Sequence, residues 1–229
     1  MRVAVVSDVH GNLPALEAVL AEIAAADVER IVCCGDTVAG PFPRECLERL
    51  RSLDPVWVRG NGDAESPRAP EGTWDWIVAS LAAEDVAFLL DLPITTVHAG
   101  VRYCHGSPRD VDEILTKVSP DERFLAALEG VAEPLVLGGH THVQFERRLG
   151  ELRFVNPGSV GMPYEGRPGA FWAIVDGADV ELRRTPYAVD AAAAAIRATA
   201  YPGADEFARL LLEPQDPDEV SAHFESLAA

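Results

Sequence analysis

Basic charge is scarce in this chain. Its 229 residues carry 37 aspartates and glutamates against 19 lysines and arginines, a formal net charge of −18. A mean field of that sign repels duplex nucleic acid and anionic membrane surfaces. Cysteine is scarce too: there are 4, with no Cys-x-x-Cys pair. Cys33 and Cys34 are adjacent inside an apolar run, so they read as reduced core residues, and a disulfide framework is excluded. Long hydrophobic runs are missing as well. The apolar opening Arg2 to Val6 is too short for a signal core and gives way at once to Asp8 and His10. No other stretch approaches the length of a membrane span, and the expectation is a cytoplasmic chain. Repeats and low-complexity tracts are also lacking. What remains is 48% hydrophobic and 24% charged, the composition of an ordinary globular protein, and long enough to bury a core unaided.

The first hundred residues alternate strand and helix signals, the pattern of a layered α/β fold. Val3 to Ser7 reads as a buried strand and Leu13 to Ala25 as a helix, with Leu13, Leu16, Leu20 and Ile23 on one stripe and Pro14 in the first turn. Arg30 to Cys34 is a second strand. A Gly- and Pro-containing loop then leads to a short amphipathic helix around Arg44 to Leu53, and Pro55 to Arg59 is a third strand. Residues 66–92 open with Pro67, Pro70 and Gly72 and then predict a helix capping the sheet edge. Trp74 and Trp76 are two apart and cannot share a helical face. One is expected in the core and the other partly exposed, with stacking on a substrate as the other reading.

From Ile94 the pattern becomes strand-rich, with segments at 94–97, 101–104, 134–137, 143–149, 151–155, 170–175 and 180–184. Short turns at Gly150 and Gly177 imply antiparallel hairpins, and Asp121 to Leu128 interrupts them as a helix. Beyond Tyr187 the chain is helical in character, with the run Ala191 to Ala195 and a last helix at Glu219 to Leu227. Two mixed sheets packed face to face with helices outside, a four-layer αββα sandwich, accommodate this mixture in one domain over 1–229. The motif-bearing core ends near 185 and a helical extension covers about 187–229.

The candidate functional residues fall just past strand ends. Asp8 and His10 follow the first strand, Asp36 follows the second behind Gly35, and Asn61 follows the third behind Gly60. His105 precedes Gly106 after the strand at 101–104, and Gly138-Gly139-His140-Thr141-His142 follows the strand at 134–137. Carboxyl ends of adjacent strands are where open α/β sheets bind ligands. Taken singly, an Asp-x-His is a helix cap with a surface histidine, and Gly-Asp and Gly-Asn are turns. Paired imidazoles after glycine are poor turn residues but good ligands. Together, five strand ends deliver two carboxylates, one amide and four imidazoles. A mixed oxygen and nitrogen set without thiolate suits manganese, iron or zinc, and seven side chains exceed what one ion needs. Two divalent ions sharing a carboxylate account for the count.

Asp8-x-His10, Gly35-Asp36, Gly60-Asn61, His105-Gly106 and Gly139-His140-Thr141-His142 resemble, in order, the five motifs of calcineurin-like metallophosphoesterases. The resemblance spans roughly Met1 to Gly161 and is closest to the small single-domain prokaryotic phosphodiesterases, which also resemble this chain at Asn156-Pro157-Gly158-Ser159. It implies that Asp8, His10 and His142 hold one cation, that Asn61, His105 and His140 hold the other, and that Asp36 bridges both. Asp36 and Asn61 then count as catalytic as well as ligating. Manganese is the metal most expected, with iron, zinc, nickel or magnesium as substitutes, and a bridging hydroxide would attack phosphorus in line. The implied substrate is a small phosphate ester or nucleotide-like molecule, and a homo-oligomer is compatible with it. Cations reversing the local sign would let an anion bind despite the overall charge.

One departure concerns the leaving group. Many members place a histidine directly after the Gly-Asn pair, acting with the following acid, where this chain has Gly62 before Asp63. That predicts a preference for stable leaving groups: aryl phosphates, diesters, nucleotide anhydrides. Asn12 is a candidate phosphate contact or else the cap of the first helix. Ser159 is a candidate cleft residue or else part of a tight turn. His98 and His223 have no motif context and read as structural or surface residues. Pocket walls are expected from 40–43, 66–76 and 162–168. The rival reading is an interaction module of the same fold with little or no turnover. Lactamase-like and amidohydrolase-like hydrolases would need a His-x-His near the start or a His-x-His-x-Asp-His cluster, and neither string occurs.

Overall fold

The computed structural model of the protein describes residues 1–66, 69 and 71–228. Its strands are Arg2–Val6 (β1), Arg30–Cys34 (β2), Val56–Val58 (β3), Thr95–His98 (β4), Val101–Cys104 (β5), Leu135–Leu137 (β6), Phe145–Leu149 (β7), Leu152–Asn156 (β8), Ala170–Asp176 (β9) and Asp179–Thr185 (β10). The helices are Leu13–Ala24 (α1), Pro43–Arg51 (α2), Thr73–Ser80 (α3), Ala83–Asp91 (α4), Asp121–Ala127 (α5), Val189–Arg197 (α6), Ala204–Leu212 (α7) and Pro217–Leu227 (α8). Two five-stranded sheets form, in the orders β10-β9-β1-β2-β3 and β4-β5-β6-β8-β7.

Side-chain alternation along β1 and β2 builds the layers. Val3, Val5, Val32 and Cys34 face the second sheet, where they meet Val101, Tyr103, Leu135, Leu137 and Val155. Ala4, Val6, Ile31 and Cys33 point the other way, onto Leu16, Val19, Leu20 and Ile23 of α1. Both faces of these strands are therefore apolar, as parallel strands between two layers require. Each fully buried Val or Leu contributes about 1.5 to 3 kcal/mol. The outer face of the second sheet is covered by Phe124, Ala127 and Leu128 of the α5 region. The result is the expected αββα sandwich of two mixed sheets. α1 starts where its sequence predicts, with the Asn12 side chain accepting from the Ala15 N–H at 3.3 Å and proline in the first turn.

Three expectations are refined. The stretch expected as one helix is two, because Leu81 and Ala82 take extended backbone between α3 and α4; this folds both helices onto one cluster with Ile77, Leu81 and Leu89 at its centre. Pro67 and Pro70, which open that stretch, lie outside the described residues. Trp74 and Trp76 do not split into one core and one surface ring: both are half-buried against this cluster, and the Trp76 indole donates to the Gly40 carbonyl at 3.1 Å. The tail holds three helices. α6 and α7 pack around Ile196, Tyr201, Phe207 and Leu211, and rest on Phe42, Trp76 and Met162. α8 is fixed by Glu225, which accepts from Ser119 Oγ at 2.7 Å and Arg123 at 2.6 Å, and by an ion pair of Lys117 with Asp218. Among the described residues no helix is long and apolar enough to cross a membrane.

Candidate metal centre

Parallel register brings the strand ends level. Val6 pairs with Cys33, and Cys34 with Val58. The ladder then continues past the strands, through Asp8 N–H to Gly35 C=O at 3.0 Å and His10 N–H to Asp36 C=O at 2.8 Å. On the second sheet Tyr103 pairs with Leu137, and the Gly139 N–H donates to the His105 carbonyl at 2.7 Å. The two sheets are tied at this end, where the His105 Nδ1–H donates to the Cys34 carbonyl at 2.8 Å and the His140 N–H to Asp8 Oδ2 at 3.1 Å. All seven candidate ligands converge here, at the carboxyl ends of β1, β2, β3, β5 and β6.

The local backbone is strained. Asp8, His10, Asp36, His140 and His142 have φ of 55°, 46°, 53°, 69° and 58°. Left-handed backbone costs a residue with a Cβ on the order of 1 kcal/mol or more, and it persists only where the surroundings enforce it. Two glycines do part of that by allowing contact. A Cβ on Gly60 would lie 2.1 Å from Asp36 Oδ1, and one on Gly139 would lie 2.0 Å from Ser7 Oγ and 2.4 Å from Asp8 Oδ2.

The donor atoms face one another at short range. His10, His105 and His142 each point Nδ1 at a backbone carbonyl, of Ala39 at 3.1 Å, Cys34 at 2.8 Å and Met162 at 2.7 Å. A carbonyl only accepts, so Nδ1 carries the proton in each and Nε2 keeps a lone pair. Yet His10 Nε2 and His142 Nε2 are 3.0 Å apart, and His142 Nε2 is 3.1 Å from Asp8 Oδ1. Asp36 presents one oxygen to each side, Oδ2 at 3.5 Å from His10 Nε2 and Oδ1 at 3.5 Å from His105 Nε2. His105 Nε2 also meets Asn61 Oδ1 at 3.0 Å and His140 Nδ1 at 3.2 Å. Asp8 Oδ1 and His140 Nε2 are buried with no hydrogen-bond partner among the described residues. Converging lone pairs at these distances repel unless a cation lies between them, so this donor set fits divalent metal. Among the described residues, two groups have ligand atoms mutually within 4.8 Å: Asp8, His10 and His142, and Asp8, Asp36 and His105.

The electrostatics agree. Burial would raise the Asp8 carboxyl, but His142, His105 and His10 hold it well below the usual carboxylate range. Burial, and then His105, pushes His140 down to about 3. His10 also lies below its ordinary value because burial outweighs Asp36. His105 goes the other way: burial opposes its charge, but Asp36 and Asp8 raise it. His10 and His140 are thus kept neutral for ligation, while the two carboxylates draw positive charge to the centre of the cluster.

Asp63 does something the sequence did not reveal. It is fully buried, and Oδ2 accepts the N–H groups of Asp36 and Gly60, each at 2.9 Å, while Oδ1 accepts those of Thr37 at 2.8 Å and Val38 at 3.3 Å. Burial, then the charge of Asp36, pushes it up to about 6. This acid staples the Gly-Asp loop to the Gly-Asn loop rather than facing a leaving group. Asn12 and Ser159 adjoin the cluster but are fully buried. Asn12 Nδ2 donates to the Gly161 carbonyl at 2.8 Å, and Ser159 Oγ donates to the Asp8 carbonyl at 2.8 Å and accepts from Met162 N–H at 2.8 Å. His98 and His223 lie outside the cluster, at the end of β4 and on α8. Tyr164, which no motif marked, stacks on His142 with centroids 5.1 Å apart and planes 15° from parallel.

Residues 1–179 match the calcineurin-like phosphoesterase superfamily domain. The chain is 30% identical over 216 residues to the uncharacterized protein MJ0912 of Methanocaldococcus jannaschii, covering 81% of this chain and 87% of that one. It is 28% identical over 189 residues to phosphodiesterase YfcE of Escherichia coli, covering 75% of this chain and 85% of the relative. The crystal structure of a metallophosphoesterase from Sphaerobacter thermophilus superposes with a TM-score of 0.79 at 30% identity, covering 93% of this chain and 99% of that one.

Proposed function

Because the chain belongs to the calcineurin-like phosphoesterase superfamily, we propose that it is a dinuclear metal-dependent phosphoesterase acting on a phosphodiester or an activated phosphate ester. One observation carries the reading: Asp36 sits between two donor sets with one carboxylate oxygen toward each, at 3.5 Å from His10 and 3.5 Å from His105. In this reading Asp8, His10 and His142 hold one cation, Asn61, His105 and His140 hold the other, and Asp36 is shared. Bound there, the cations, with manganese favoured by the mixed oxygen and nitrogen donors, would supply Lewis acidity that activates water and offsets charge on the phosphoryl oxygens.

The chain's own residues set the rest. Backbone carbonyls hold His10, His105 and His142 by Nδ1–H, which leaves Nε2 as the atom turned toward the cations. Asp63 holds both loops that carry Asp36 and Asn61. Asn12 and Ser159 act by holding the Asp8 to Gly11 loop in place, since their polar atoms are engaged within the chain. Gly62 cannot be replaced by a leaving-group helper without displacement, because a Cβ there would lie 2.7 Å from the Ala39 side chain and 3.1 Å from Asp36 Oδ1. The leaving oxygen therefore departs without a side chain at that position to protonate it, which favours aryl esters and diesters over alkyl monoesters. A small substrate agrees with the net charge of −18, which opposes long polyanions.

The test is hydrolysis of bis-p-nitrophenyl phosphate by the manganese-loaded protein. Turnover is expected, with Asp36→Asn lowering it by more than about 100-fold, beyond what loss of a group merely supporting a ligand costs. Manganese binding without turnover would instead establish a binding module of the same fold. Equal rates on an alkyl monoester and a matched aryl diester would overturn the leaving-group argument alone.

A further inference from the structure

His142 is held from three directions by one short segment. Its Nδ1–H donates to the Met162 carbonyl at 2.7 Å, its carbonyl accepts the Tyr164 N–H at 3.2 Å, and its ring lies flat against the Tyr164 ring. Tyr164 is in turn backed by the C-terminal extension. Its other ring neighbour is Phe224 of α8, at 6.3 Å between centroids, and its phenol, pushed up to about 12 by burial and then by Asp8, also senses Glu206 of α7. The same loop is pinned by the Gly166 N–H donating to the Gln215 carbonyl at 2.8 Å, just before α8. α8 itself is clamped at its far end by Glu225 on Ser119 and Arg123. Glu206, Gln215, Phe224 and Glu225 lie past residue 179, where the match to the superfamily domain ends.

An imidazole flanked by a tilted ring on one contact, His10 at 4.8 Å and 56°, and a parallel ring on another has little freedom to rotate. Its Nε2 is thereby aimed at Asp8. We propose that Tyr164 is a positioning residue for His142, held by Phe224, so that the C-terminal extension sets cation affinity at the Asp8, His10 and His142 set. The inference rests on the metal-binding reading above, and it makes helix α8 part of the functional site rather than an appendage.

The experiment is calorimetric titration of Mn(II) into the full chain and its variants, with thermal midpoints measured in EDTA alongside. Tyr164→Ala is expected to weaken Mn(II) binding by about 10- to 100-fold, the range for groups that orient a ligand. Tyr164→Phe keeps the ring and is expected to bind as the parent does, and Phe224→Ala is expected to fall between. Phe145→Leu, a core change under α5, lowers stability without touching the stack and is expected to leave affinity unchanged. Parental affinity in Tyr164→Ala, or an equal loss in Phe145→Leu, overturns the proposal while the two-cation reading stands. Loss in Tyr164→Phe would assign the effect to the hydroxyl and overturn the stacking argument. Parental affinity in Phe224→Ala would sever α8 from it. A parent chain that takes up no Mn(II) overturns the functional reading, and this one with it.

Discussion

The two ends of the sandwich treat backbone conformation in opposite ways. At the amino ends of β5, β8 and β10 the chain turns through Gly100, Gly150 and Gly177, with φ of 77°, 64° and 60° and nothing within 4 Å of where a Cβ would be. The non-glycine residues that share this left-handed conformation there, Asp27, Asp54 and Ala99, are exposed. At the carboxyl ends the same conformation falls on Asp8, His10, Asp36, His140 and His142, all buried, while the glycines beside them serve close contact. One end is shaped for easy turning. The other accepts strain so that five side chains with lone pairs or charge point inward, and strain that persists in a buried place is a mark of function.

The sharpest way to break this contrast is to add one methyl group at each end. Gly139→Ala drives a Cβ into Ser7 and Asp8, and is expected to cost about 3 kcal/mol or more of stability and to remove most hydrolytic activity. Gly177→Ala meets only open space and is expected to cost about 1 to 2 kcal/mol, the penalty of left-handed backbone for alanine, with turnover intact. Urea denaturation and a bis-p-nitrophenyl phosphate assay on both proteins check this, and equal effects would erase the distinction between the ends.

Proton linkage gives a smaller effect confined to the metal end. His140 titrates near 3 in the fold instead of its ordinary 6.5, so between these values the unfolded chain binds the extra proton. In EDTA, stability contributed by neutral His140 is present above about pH 6.5 and lost as pH falls toward 3. Midpoints measured across that window should fall more steeply for the parent than for His140→Gln, which has no proton to gain. Parallel curves would show that burial of this imidazole carries no linkage. The smallest expected effect belongs to the far end: Ala99→Gly, at φ 51° on an exposed turn, relieves left-handed strain and is expected to stabilise by about 0.5 to 1 kcal/mol without changing turnover.

Much of the site could be read before any coordinates, because its signals are local. A buried strand followed within two residues by Gly-Asp or Asp-x-His announces a carboxyl-end loop, and parallel pairing then has no choice but to bring such loops together. The strands of both sheets and the hairpins at Gly150 and Gly177 were legible for the same reason. Features decided by partners distant in sequence were not. The break at Leu81 and Ala82 falls in a helix-favouring stretch and is imposed by packing around Ile77 and Leu89. Asp63 reads as one more acid after a turn, and only the fold reveals that three of its four donors come from the facing loop at residues 36–38. Tyr164 and Phe224 are 60 positions apart with no periodicity linking them. α7 was obscured by the alanine-rich run before it.

The Asp63 staple bears on how this architecture can vary. Residues 36–38 and 60 are joined through one carboxylate, so the chain between them, including α2 and the exposed bend at 52–54, forms a closed excursion whose base is fixed independently of its length. Insertions or deletions at that bend would alter the periphery while leaving the mutual placement of Asp36 and Asn61 untouched. A single side chain thus separates the part of the molecule free to diverge from the part that must stay in register.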